Sequence, residues 1–146
     1  MCTPESLSAE QKQFLSLLQE NPTEELFWQT ICLFQDYPFY TASGLPYRYR
    51  LKIGKNGLPT HELLIDRREK SKTLAWSSVR LAFSRALEKK ECTDSKERIV
   101  CRPKALGDIR GISYIYPMLW KFGIIEVPQE TAVKMSGEPY QYRLFE

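Results

Sequence analysis

The chain has 146 residues, 42% of them apolar and 27% charged, and carries a net charge of +3. Such a composition supports one domain with a real core and excludes wholesale disorder. The charge is segregated: residues 1–45 hold one base and six acids, residues 46–90 twelve bases and four acids, and residues 91–146 eight of each.

The first third therefore repels a polyanion and the middle third attracts one. Ser8, with Gln11 three positions on, forms a capping box for a helix whose apolar face is Phe14, Leu15, Leu17 and Leu18. Asn21-Pro22 stops that helix, and Thr23 caps a second one with Leu26, Phe27, Thr30, Ile31 and Phe34 facing inward. Glu24 and Glu25 sit in its first turn, where they complement the helix dipole. Residues 1–36 thus read as a helical hairpin that covers the core or seats a second copy of the chain as a homodimer. Phe27 and Trp28 are the aromatics that such a contact would use.

Phe39-Tyr40-Thr41 is a short strand and Ser43-Gly44 a turn. From Tyr47 to Ile53 the chain alternates: Tyr47, Tyr49, Leu51 and Ile53 share one face, and Arg48, Arg50 and Lys52 the other. Lys55-Asn56-Gly57 is a hairpin turn, because Asn-Gly supplies the positive φ that tight turns need. Glu62 to Ile65 is the return strand. A row of three cations is either a solvated edge or a set of phosphate contacts.

Asp66 to Lys72 reads as a polar loop holding Arg67, Arg68, Lys70 and Lys72. A third helix follows, Leu74 to Lys90, capped by Ser71 or Thr73, with Trp76, Val79, Ala82, Phe83, Ala86 and Leu87 as its core stripe. Four cations ahead of a helix N-terminus suit a phosphate, and Arg80 extends that basic surface. The alternative is a core helix behind a solvated loop. Residues 37–90 thus form a basic hairpin plus a helix, and Glu91 to Glu97 is a charged linker.

The last segment, 91–146, has a short helix at Pro103 to Asp108, an Arg110-Gly111 turn, and a helix carrying Ile112, Ile115, Met118, Leu119 and Phe122. Pro117 restricts that helix to a start near Ser113, or kinks it. Gly123 is a left-handed cap, Ile124 to Val127 is strand-like, and Tyr140 to Leu144 alternates and could pair back on it. Helix, Gly, strand, loop and strand resemble the end of a winged helix-turn-helix. That resemblance would place Ser113, Tyr114 and Tyr116 on base edges, with Lys134 and Arg143 on the wing. A plain core helix is the alternative.

Cys2, Cys32, Cys92 and Cys101 are scattered and His61 stands alone, so neither a metal site nor a cofactor is expected. The cysteines read as reduced thiols, with a Cys92–Cys101 bridge as the alternative. No phosphate loop, nucleophile elbow or zinc-protease motif is present, so no catalytic residue and no enzyme is expected. No run is long enough to span a membrane and no leader pattern opens the chain, which points to a cytoplasmic protein.

FYTASGLPYRYRLK, DRREKSKTLAWSSVRLAFSRALE and KALGDIRGISYIYPMLWKFGII together resemble, over residues 39–125, a group of small uncharacterised bacterial proteins. The resemblance implies kinship and brings no activity with it. The expectation is a single α+β domain: helical hairpin, small antiparallel sheet, helices and a winged-helix-like end. Its expected function is nucleic-acid binding, double-stranded DNA first, through Arg48, Arg50, Lys52, Arg67, Arg68, Lys70, Lys72, Arg80, Lys134 and Arg143. The alternative is a protein-interaction factor, an inhibitor, adaptor or accessory subunit, whose basic face docks an acidic protein surface.

Overall fold

A computed structural model describes residues 7–67 and 70–137, which form an α+β fold of six α-helices and a four-stranded antiparallel sheet. Helix α1 (Ala9–Glu20) starts at Ser8, whose Oγ accepts from the Gln11 N–H at 3.1 Å. The Ser8 N–H donates to Gln11 Oε1 at 2.9 Å and closes the capping box. Helix α2 (Glu24–Leu33) starts at Thr23, whose hydroxyl accepts from the Leu26 N–H at 3.2 Å. The two helices pack on each other, and Phe27, Thr30, Ile31 and Phe34 are all buried. Thr30 tolerates this because its hydroxyl donates to the Leu26 carbonyl at 2.7 Å.

Strands β1 (Phe39–Tyr40), β2 (Pro46–Ile53), β3 (Pro59–Arg67) and β4 (Lys72–Leu74) lie in chain order, each antiparallel to the next. Tyr47, Tyr49, Leu63, Ile65 and Leu74 turn inward. A register shift between Leu51 and Ile53 breaks the period-two pattern. Ile53, expected on the apolar face, is therefore 57% exposed. The polar loop expected over Asp66 to Lys72 is shorter than its composition suggests, since β3 runs to Arg67 and Lys72 already belongs to β4.

Helix α3 (Trp76–Lys90) begins after that strand, with Ala75 as N-cap and no side-chain capping bond, rather than at Leu74 behind Ser71 or Thr73. Val79, Ala82, Phe83 and Ala86 are buried, but Trp76, expected in the core, is only half-buried. Helix α4 (Ser95–Arg98) is a single turn, and the expected Pro103–Asp108 helix is a 3-10 turn over Pro103–Leu106. Arg110-Gly111 then leads into α5 (Ile112–Lys121), with Gly111 in the left-handed region at φ +78°.

The far end of α5 follows the Schellman pattern: the Gly123 N–H donates to the Trp120 carbonyl at 3.0 Å and the Ile124 N–H to the Leu119 carbonyl at 2.9 Å. Gly123 has φ +80°, as its place after the apolar stripe requires. Gln19 of α1 donates Nε2 to the Phe122 carbonyl at 3.1 Å, satisfying one of the carbonyls a helix end leaves unpaired. Phe122 itself ties the core together, with ring centroids 5.0 Å from Phe34, 6.3 Å from Phe27 and 6.3 Å from Phe39. Phe27 in turn stacks on Phe83 of α3 at 4.2 Å.

No wing follows α5 among the described residues. Ile124 to Val127 makes one isolated parallel bridge, Glu126 with Ile99, and helix α6 (Gln129–Met135) occupies the expected wing loop. Pro128 supplies a φ of −60° at the N-cap of α6, and Gln-Glu-Thr-Ala-Val-Lys-Met offers mostly helix-compatible residues after it. The proposed return strand, Tyr140 to Leu144, lies outside the described residues.

Candidate nucleic-acid interface

The solvent face of β2 presents Arg48, Arg50 and Lys52 as the alternation requires, and all three are exposed. They are not the unpartnered row their spacing implies. Asp66 stands opposite Arg48 in the ladder, Arg48 Nη1 donates to the Asp36 carbonyl, and Lys52 Nζ lies 3.8 Å from Glu62 Oε1. The acids arrive from β3, which the β2 sequence does not contain. Arg50, by contrast, faces Leu64 across the ladder and makes no ion pair among the described residues, so the face is compensated only in part.

The loop cations separate. Arg67 is half-buried, donating Nε to the Lys70 carbonyl at 2.7 Å and Nη1 to the Tyr114 hydroxyl at 2.6 Å. Its guanidinium carbon lies 5.6 Å from the centre of the Tyr114 ring. Arg67 is thus used in joining β3 to α5. Lys70 is exposed, and Arg68 lies outside the described residues. Arg80 points the other way, with Nε 3.8 Å from Glu24 Oε2 on the acidic hairpin. The chain between the loop cations and α3 is strand β4, which ends at Leu74 just before the Ala75 N-cap, rather than a loop wrapped about the α3 N-terminus. Lys134 is exposed on α6 rather than on a wing strand, and Arg143 lies outside the described residues.

Nor can α5 enter a groove as a recognition helix. Ile112, Ile115, Tyr116, Pro117, Met118 and Leu119 are all buried, so the helix is enclosed on nearly every side. Of the three residues assigned to base edges, Ser113 alone is exposed. Tyr114 is held by Arg67, and the buried Tyr116 hydroxyl donates to the Val100 carbonyl. Pro117 removes the helical partner of the Ser113 carbonyl, which sits at an exposed position open to water. Phe27, assigned to an exposed contact, is fully buried; Trp28 stacks on His61 at 4.3 Å.

What the fold does bring together is Lys72 with Arg102, Lys104 and Ser113. They line one open cavity of about 620 Å³ at the start of α5, along with Pro103, Ile109, Gly111 and Ile112. No acid lines it, and among the described residues the side chains of Lys72, Arg102 and Lys104 make no ion pair or hydrogen bond. The Ser113 N–H is also without an intrachain acceptor among the described residues. A smaller cavity, about 220 Å³, touches the later residues of the 3-10 turn and is lined by Arg85, Glu88, Lys89, Cys92, Ala105 and Leu106.

Arg102 and Lys104 were hidden from a charge count by averaging. The segment 91–146 balances overall only because Glu91, Asp94 and Glu97 sit in the linker before them. The local run Arg102-Pro103-Lys104 carried the signal. Cys32, Cys92 and Cys101 are free thiols, so the Cys92–Cys101 bridge does not form; burial raises the pKa of Cys32. Among the described residues no cluster of His, Cys, Asp and Glu could hold a metal, and no helix is long and apolar enough to cross a membrane.

No family model, no curated protein and no solved structure matches the chain.

Proposed function

We propose that the protein binds nucleic acid, duplex DNA first, through the basic surface around the 3-10 turn. Lys72, Arg102 and Lys104 line the larger cavity at that turn, and Arg85 and Lys89, with Glu88 between them in sequence, line the smaller one. The observation that carries this reading is the meeting of three unpaired cations, Lys72 from β4 and Arg102 and Lys104 from the 3-10 turn, in one cavity without an acid. Cations already paired within the fold gain little from a phosphate, whereas unpaired ones release the counterions that drive association. On this reading the β2 face contributes long-range attraction, and Lys72, Arg102 and Lys104 make the contacts.

The test is a salt titration of binding to duplex DNA, single-stranded DNA and RNA side by side. Log affinity should fall by roughly 0.9 per duplex phosphate contact as log salt rises. Arg102→Ala with Lys104→Ala should flatten the slope by about two contacts. Salt-insensitive binding, or a slope unmoved by that pair, would overturn the reading.

A protein partner is the second reading, favoured by the tip of the β2–β3 hairpin. Ile53 and Leu58 stand there 57% and 61% exposed, beside the Lys52–Glu62 ion pair. Stoichiometric capture of a protein that Ile53→Ser with Leu58→Ser abolishes, with no duplex binding, would establish it instead.

A further inference from the structure

The larger cavity is chemically divided. Lys72, Arg102 and Lys104 bring positive charge to it, and Pro103 and Ile109 supply apolar wall. A site for inorganic phosphate alone has no use for that wall. Its volume, about 620 Å³, falls in the range of roughly 300–1,000 Å³ that small-ligand sites occupy. We infer that this cavity takes a single unpaired nucleotide, its phosphate among Lys72, Arg102 and Lys104 and its sugar and base against Pro103 and Ile109.

The inference rests on the nucleic-acid reading for its ligand class and sharpens it. A nucleotide stacked inside a duplex must lose its stacking and pairing before it can enter, whereas one at a strand terminus or in a single-stranded tail is already free. The lining contains no aromatic ring for stacking and offers Ser113 as its one hydroxyl side chain. Discrimination between bases is accordingly weak, and the phosphate and the unpaired state are what the site selects.

The experiment is an amide-resolved NMR titration of the full chain with 5′-AMP, adenosine and inorganic phosphate. AMP should shift the amides at the start of α5 and bind tighter than inorganic phosphate by roughly tenfold or more. Ser113→Glu should abolish both effects while keeping the fold, because a carboxylate in the first turn suits the helix dipole. Equal affinity for AMP and phosphate, or shifts confined to other surfaces, would overturn the inference. A duplex salt titration on the same preparation separates the two readings. Salt-dependent duplex binding with AMP silent at α5 sinks the nucleotide site and spares the interface. AMP seated at α5 with no polynucleotide bound does the reverse.

Discussion

Gly111 stands against Leu74 with no room for a side chain between them. A Cβ on Gly111 would fall 2.1 Å from Leu74 Cδ2, and its φ of +78° already disfavours any other residue. That contact holds β4 on the start of α5, and so carries Lys72 to the cavity that Arg102, Lys104 and Ser113 share. Gly111→Ala should cost about 1–2 kcal/mol in backbone strain and a further 1–3 kcal/mol or so in overpacking. Gly57→Ala is the control, since Gly57 has φ +81° with nothing near its would-be Cβ. In urea titrations both variants should lose stability, Gly111→Ala clearly more; equal losses would mean that Leu74 simply moves aside.

Arg67 and Arg50 should separate stability from charge. Arg67→Ala removes the donor to the Tyr114 hydroxyl and the Lys70 carbonyl and should cost about 1.5–3 kcal/mol, as charged hydrogen bonds do. Arg50 is exposed on β2, and Arg50→Ala should stay within about 0.5 kcal/mol. Thermal or urea unfolding of the two variants checks this, and an Arg67→Ala protein as stable as wild type would show that the contact is incidental.

Three tyrosines make the fold alkali-sensitive. Tyr47 donates to the Tyr114 carbonyl at 2.7 Å, Tyr49 to the Ile31 carbonyl at 2.6 Å, and Tyr116 to the Val100 carbonyl. Burial, more than any neighbouring group, pushes all three above the usual 10.0. The unfolded chain gives up these protons near pH 10 while the folded chain keeps them, so their stabilisation is complete below that pH. It drains away as pH climbs from there toward the raised folded-state values, at up to about 1.4 kcal/mol per pH unit for each tyrosine. Tyr49→Phe should shrink that slope and cost about 0.5–1.5 kcal/mol at neutral pH. The loss stays modest because the Ile31 carbonyl keeps the Phe34 N–H. An unchanged alkaline slope would count against the assignment.

Phe83 and Trp76, both expected in the core from helical spacing, should respond differently. Phe83 is 2% exposed and stacks on Phe27, so Phe83→Ala should cost about 3–5 kcal/mol. Trp76 is half-buried beside Trp28, and Trp76→Ala should cost less despite the larger side chain removed. A larger loss for Trp76→Ala in equilibrium unfolding would reverse this ranking.

The features that the sequence determined by itself are those whose partners lie within a few residues. Ser8 with Gln11, Thr23 with Leu26, Asn56-Gly57 and Gly123 after Phe122 each satisfy nearby backbone groups or supply a positive φ, so these caps and turns fall where the letters place them, whereas the expected α3 cap does not. The same holds for the inward faces of α2 and the first half of β2. Tertiary structure alone decided what depends on distant chain. Lys72–Leu74 is a strand only because β3 is there to pair with it, and Arg48 and Lys52 are compensated only because Asp66 and Glu62 lie across the ladder. Tyr116 and Pro117 are buried because other elements enclose α5 beyond its apolar stripe, which turns an expected reading helix into a core helix. Lys72 meets Arg102 because Gly111 admits Leu74: proximity through space follows from packing, which a one-dimensional charge count cannot contain.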